Sequence, residues 1–378
     1  MKPLYDEQKL ARLMEEAGVD LVLAHTPHNL RYLTGGYYFH FRERVAAIGP
    51  SQYLPFVGIP RENSENAFQV AWRVEASPRN EVDTWIPDVI YTKARGTVGA
   101  AETAAEAIRK RGLEARTIAV ERAFLPVDAM EALGRELPGA RFVDSLSIME
   151  ELRAVKRADE LEIFRRAALA DSEAIQAGFQ EGARNVTTRR IERRVEEEMV
   201  RRGLHFHYAF TAAGPEMRRE PSDKIWEKGE ILHIDAGGSE AGYMSDICRM
   251  GVRGEPSALA EELRQACLHA VDACRDAIRA GASCASVHER GHRAFADIGF
   301  SDMGIFEVHG IGMVQQELPR FGPEVERTLE AGMVVSVECD IRHEEVGHVK
   351  IEDAVAVTED GCEGLGDMGR DAWACIDS

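Results

Sequence analysis

The chain has 378 residues, 44% of them hydrophobic, enough to bury a full core in two domains or one large one. A net charge of −19 argues against nucleic acid or an anionic membrane as the main partner. No apolar run approaches the ~20 residues of a membrane span, and the N-terminal MKPLYDEQKLARLMEE lacks the apolar core of a signal peptide.

The first ~150 residues alternate helix and strand signals. KLARLMEEAG is an amphipathic helix ended by Gly18, and VDLVLAH is a buried strand. VGAAETAAEAIRKRG is a helix stopping at Gly112, followed by the strand RTIAVE; VDAMEALGREL is a helix and ARFVDS a short strand. The alternation predicts an α/β domain over residues 1–150. No GxGxxG or P-loop follows any of these strands, so nucleotide binding has no support. A charged helical stretch from Met149 to about Glu181 opens a second domain, residues 151–378. TTRRIERRVEEEMVRRG is its second helix, with both charge signs interleaved on a solvated face. Then come β-rich segments, two helices near 256–281 and 284–298, and further β segments. Helix, helix, hairpin thus occurs twice, which predicts an internal pseudo-repeat. The seven cysteines (248, 267, 274, 284, 339, 362, 375) are odd in number and form no CxxC pair. That pattern fits reduced thiols in the cytoplasm. Cys248 and Cys339 lie near the candidate ligands of the second domain; either could be a ligand, with a small buried hydrophobe the default reading.

Five residues of the second domain carry chemistry: Asp235, Asp246, His309, Glu338 and Glu352. Asp235 and Glu352 are embedded in apolar β runs, ILHID and VKIEDAVAV, where an unpaired charge is costly. Asp235 and Asp246 flank the Gly-rich GGSEAGYMS. A two-residue loop at the midpoint would set them directly opposite, with Cβ atoms roughly 4.5–5.5 Å apart. Glu338 and Glu352 flank a second hairpin around HEEVGH, with an even spacing that allows one face. His309 precedes Gly310 and Gly312, which leave room for a ligand. Four converging carboxylates repel one another, and two divalent cations would neutralise them. The set reads as a dinuclear metal site, with metals about 3.5–4 Å apart. Carboxylates with one imidazole suit Mn, Fe, Co or Zn.

The whole chain resembles the pita-bread metallopeptidases, the group of aminopeptidase P, prolidase, methionine aminopeptidase and creatinase. The motifs are MEEAGVDLVLAHTPHNLRYLTGG, ELRAVKRADELEIFRRA, GEILHIDAGGSEAGYMSDICR, EVHGIG, GMVVSVE and VKIEDAVAVTEDG. The resemblance implies an α/β creatinase-like N-terminal domain and an α+β pita-bread catalytic domain with a pseudo-twofold antiparallel sheet. It implies the same five metal ligands, Asp246 and Glu352 bridging, and a homodimer.

The chain departs from the peptidases of this group beside the metals. A substrate-contacting His upstream of the first Asp is replaced within GPEMRREPSDK, where Arg218 stands. Arg218 and Arg219 cannot act as bases, but they can grip a carboxylate. A second His is replaced within VQQELPR by Gln316, and Cys339-Asp340 follows Glu338 in place of Pro-Gly. In creatinase a similarly placed Phe and Arg reach the substrate; here Phe41, Arg42 and Arg44 lie near those places. His205 and His207 alternate on one strand, and His207 could supply the missing imidazole. The leading expectation is metal-assisted hydrolysis of a C–N bond in a small peptide or amide. Glu338 would take the proton of the attacking water, and Gln316, Arg218 or His207 would hold the substrate or its oxyanion. The alternatives are a lyase or hydrolase of a small charged metabolite, as in creatinase, ectoine hydrolase or dimethylsulfoniopropionate lyase, and a non-catalytic binding scaffold.

Overall fold

The computed structural model describes residues 2–39, 47–76 and 84–376. The chain divides into two compact units, Met1–Leu152 and Arg153–Ser378.

The first unit is a six-stranded mixed sheet with helices α1 (Glu7–Glu16), α2 (Pro27–Thr34), α3 (Gly96–Lys110) and α4 (Val127–Glu136); α5 (Leu146–Ala154) runs across the division. Its strands are β1 (Leu21–Ala24), β2 (Phe56–Pro60), β3 (Phe68–Ala71), β4 (Asp88–Tyr91), β5 (Thr117–Val120) and β6 (Arg141–Asp144), in the order β4-β3-β2-β1-β5-β6. The pairs β1–β2 and β2–β3 are antiparallel and the rest parallel. The core joins Leu21 and Leu23 to the alanine face of α3, Ala100, Ala101, Ala104 and Ala105, whose small side chains let the helix lie close to the sheet. The helices and strands expected around 9–25, 98–121 and 127–145 are present within a few residues. Strands β2 and β3 were not anticipated. They are four or five residues long and buried on both faces, so they show no alternation to read.

The second unit opens with helices α6 (Ala158–Gly182) and α7 (Thr188–Arg201). Gly178 permits their close packing, since a Cβ there would meet Val195 at 2.7 Å; Gly182 leaves room for Trp226, which a Cβ would meet at 2.5 Å. Then follow β7 (His205–Ala213), β8 (Ile231–Glu240), β9 (Tyr243–Met244), β10 (Ile247–Arg253), α8 (Ala258–Arg275), α9 (Cys284–Asp297), β11 (Gly304–Gly310), β12 (Val334–His343), β13 (Gly347–Val357), β14 (Cys362–Leu365) and β15 (Ala374–Ile376). The main sheet runs β11-β12-β13-β10-β8-β7. Its left half is therefore the mirror order of its right half, about the central antiparallel pair β10–β13. The expected pseudo-twofold is visible in this order: α6-α7-β7-β8-β10 and α8-α9-β11-β12-β13 are equivalent halves. The core on one side joins Leu263, Cys267 and Cys274 of α8 to Val335, Val337 and Ile351 of the sheet.

One register differs from expectation. The β8–β9 turn is Ala241-Gly242, with φ of 51° and 90°, and Glu240 pairs with Tyr243. Both turn residues are left-handed, as a two-residue hairpin turn compatible with strand twist requires. The midpoint therefore falls one residue later than the sequence spacing suggested. Asp235 faces Cys248, and Asp246 sits two residues earlier, just before β10. A shift of two along one strand keeps the face, so the two aspartates are diagonal neighbours. The second hairpin does set Glu338 directly opposite Glu352.

Candidate metal centre

Directly paired residues project from the same face of a sheet. Register alone therefore builds a polar row across the second unit: Glu307 on β11, Glu338 on β12, Glu352 on β13, Cys248 on β10 and Asp235 on β8. His309, two residues beyond Glu307, and Asp246, two before Cys248, join the same face. So does Lys350, two residues before Glu352.

Ligand atoms of Asp246, His309 and Glu352 all lie within 4.8 Å of one another. The His309 Nδ1–H donates to the Gly310 carbonyl at 3.2 Å. That bond leaves Nε2 as the lone-pair nitrogen, 4.0 Å from Asp246 and 3.8 Å from Glu338. Ser336 donates to Glu352 at 3.0 Å. Asp246 accepts hydrogen bonds from Tyr208 and, at 3.0 Å, from the Gln315 amide. A Cβ at Gly237 would meet the Tyr208 ring at 2.6 Å, so only glycine there lets the phenol reach Asp246. Asp235, Glu338 and Glu352 are joined by Lys350. Its ammonium is 2.7 Å from Asp235, 2.6 Å from Glu338 and 2.7 Å from Glu352. The Arg219 guanidinium also contacts Asp235 and donates to His233 at 3.2 Å.

The charges are unevenly compensated. Burial, then the nearby Asp235 carboxylate, raise Asp246 to about 6, against the relief from Lys350, Tyr208 and Gln315. Burial and the Asp246 and Glu338 carboxylates push Glu352 well above the usual range. Burial would raise Asp235 too, but Lys350 and Arg219 outweigh it and hold that carboxyl below its ordinary value. Burial and the Arg219 charge keep His233 neutral, lowered to about 3. A carboxylate pair that cannot ionise freely beside an imidazole nitrogen is a donor set short of positive charge. It fits a divalent cation held by Asp246, His309 and Glu352.

Beside His309 a cavity of about 650 Å³ is lined by Glu307, Gln316, Arg320, Phe321, His288 and His292, among others. It has the size of a small-ligand pocket.

The other residues expected at the site are placed as follows. Gln316 lines the cavity, while its neighbour Gln315 makes the bond to Asp246. Arg218 points outward, its side chain 64% exposed and paired with Glu220 at 3.3 Å; Arg219 is the arginine at the carboxylates. His207 bonds Ser239 at 2.9 Å and stacks edge-on against His205. The β7 register shifts between Phe206 and Tyr208, so the following residue, Tyr208, faces Asp246. Phe41, Arg42 and Arg44 lie outside the described residues. Sequence reasoning passed over Tyr208, Arg219 as distinct from Arg218, Gln315, Ser336 and Lys350. Lys350 had a signal: in VKIED a period of two puts it on the face of Glu352. Tyr208 had none, because a bulge is not written in the hydrophobic pattern.

Residues 162–359 match metallopeptidase family M24, and residues 8–155 match the creatinase/prolidase N-terminal domain. The chain belongs to metallopeptidase family M24. It is a metal-dependent hydrolase of the pita-bread superfamily. It is 27% identical over 365 residues to a Xaa-Pro dipeptidase of Lactobacillus delbrueckii subsp. lactis, covering 93% of this chain and 94% of that one. It is 29% identical over 224 residues to a Xaa-Pro dipeptidase of Pyrococcus furiosus, covering 58% of this chain and 64% of that one. Its fold matches dipeptidase PepE of Mycobacterium ulcerans with a TM-score of 0.81, 24% identity and coverage of 98% and 97%. The prolidase of Pyrococcus horikoshii matches with a TM-score of 0.78, 22% identity and coverage of 95% and 97%. Among the described residues no helix is long and apolar enough to cross a membrane.

Proposed function

We propose that this hydrolase cleaves a C–N bond in a short peptide or peptide-like amide, at a centre made by Asp235, Asp246, His309, Glu338 and Glu352. The observation that carries the reading is the convergence of Asp246, His309 and Glu352 within 4.8 Å, beside a cavity with His309 in its wall. Similarity to Xaa-Pro dipeptidases supports a dipeptide as the substrate class. A divalent ion of the Mn, Fe, Co or Zn type would supply Lewis acidity and lower the pKa of water; the sequence reading expects two. The chain's own groups do the rest. Glu338, on the face of the row and 3.8 Å from His309, is positioned to accept the proton of the attacking water. Tyr208 and Gln315 orient the Asp246 carboxylate, and Gln316 presents an amide to the cavity. Reduced thiols fit a cytoplasmic protein, and the resemblance supports a homodimer.

Replacing Asp246 or Glu352 with Ala should abolish tight binding of Mn2+ and hydrolysis together. Full metal content in either purified variant, measured by elemental analysis, would sink the assignment.

A second reading, hydrolysis or lysis of a small charged metabolite, is favoured by one observation. The Arg219 guanidinium stands at the Asp235 carboxylate, beside His233, as a cation that could grip an anionic substrate group. A panel of Xaa-Pro and other dipeptides separates the two, since efficient Xaa-Pro turnover excludes the metabolite as the main substrate.

A further inference from the structure

The five expected ligands do not form one uniform set. Ligand atoms of Asp246, His309 and Glu352 converge within 4.8 Å of one another. The oxygens of Asp235, Glu338 and Glu352 converge instead on the Lys350 ammonium, at 2.6–2.7 Å. A metal bound by those same oxygens at about 2.0–2.2 Å would overlap that nitrogen.

Lys350 is also poorly placed to leave. It is 3% exposed, in the middle of β13, and directly opposite Asp340 on β12. Asp340 is not a spare partner, because it pairs with Arg342 at 3.2 Å and His348 at 3.3 Å. A buried ammonium must keep carboxylate partners, and those available are the expected metal ligands. Arg219 adds a second cation at Asp235, and Glu307, at the exposed end of the row, is hydrogen-bonded to Glu338.

We propose that Lys350 stands in for one of the two cations, so that the native chain binds a single divalent ion at Asp246, His309 and Glu352. This rests on the metal-centre reading above and changes its stoichiometry. Lys350 is then a positioning residue that fixes Asp235 and Glu338 beside the bound ion without being coordinated itself.

The test uses the full chain, loaded with excess Mn2+, desalted and measured by elemental analysis. One Mn2+ per chain is expected for the native protein and two for Lys350→Met, which removes the charge at similar length. Two ions on the native protein, or one on a folded Lys350→Met variant, overturns the proposal. No bound ion on the native protein overturns the metal-centre reading itself, so the two failures are distinct. A measurement needing no variant runs beside it. Electron paramagnetic resonance of the Mn2+-loaded native chain should show the resolved hyperfine lines of an isolated ion. The broadened, exchange-coupled spectrum of a Mn2+ pair refutes the single-ion centre even if Lys350→Met fails to fold.

Discussion

At the scale of single residues, Asp246 is a group whose charge its environment leaves under-compensated. Its carboxyl, raised to about 6, binds a proton more tightly folded than unfolded. In the metal-free protein its contribution to stability is therefore most favourable below about pH 4. It declines as pH rises through about 6, by about 3 kcal/mol at most. The same proton competes with the metal. Apparent Mn2+ affinity should rise between about pH 5 and 7, as read by calorimetric titration across pH. Tyr208→Phe removes a hydrogen bond that lowers this carboxyl, so the rise should move to higher pH. An unmoved curve would mean that the phenol does not tune Asp246.

At the scale of elements, the turn after β11 depends on one buried anion. Glu317 pairs with Arg153 and with Lys156, each at 3.1 Å, and all three side chains are almost fully buried. Burial opposes ionisation of Glu317, but the two cations outweigh it and keep its carboxyl below the usual range. A backbone bridge from Gly310 to Glu317 folds the segment back against the end of β11, next to His309. Gly312 leaves the room, since a Cβ there would come within 1.7 Å of the Glu317 carboxylate. Glu317→Gln strands two buried cations and should cost about 3–5 kcal/mol in urea unfolding. It should also weaken metal binding, because Gln315 and His309 lose their anchored backbone. Gly312→Ala should act in the same direction. The sequence showed this segment only as a place where Gln316 replaces a histidine. That the ion pairs fix the segment was not legible, because Arg153 and Lys156 lie more than 150 residues away in the chain.

At the scale of the whole molecule, all the proposed ligands lie within the unit 153–378. A bound ion stabilises the folded state by about 2.7 kcal/mol at a hundredfold excess over its dissociation constant. For a unit of this size that is a rise in melting temperature of roughly 5–10 °C. Calorimetry with and without a chelator should show this shift in the transition of residues 153–378; no shift would mean that no ion binds with useful affinity.

By itself the sequence determined most of the succession of helices and strands, though not β2 and β3, together with the pseudo-repeat and the five polar residues in β-rich segments. These are local matters of periodicity, turn chemistry and the cost of burying charge. Only the tertiary structure decided which neighbours those residues have. Pairing of distant strands brings Lys350 to Asp235, 115 residues away in the chain, and sets Cys248 opposite Glu352. A bulge in β7 turns Tyr208, rather than His207, to the site. A turn centred one residue late makes the two aspartates diagonal. Side-chain type and spacing specify what each residue can do. The balance of charge at one point depends on register between distant strands, which no local pattern encodes.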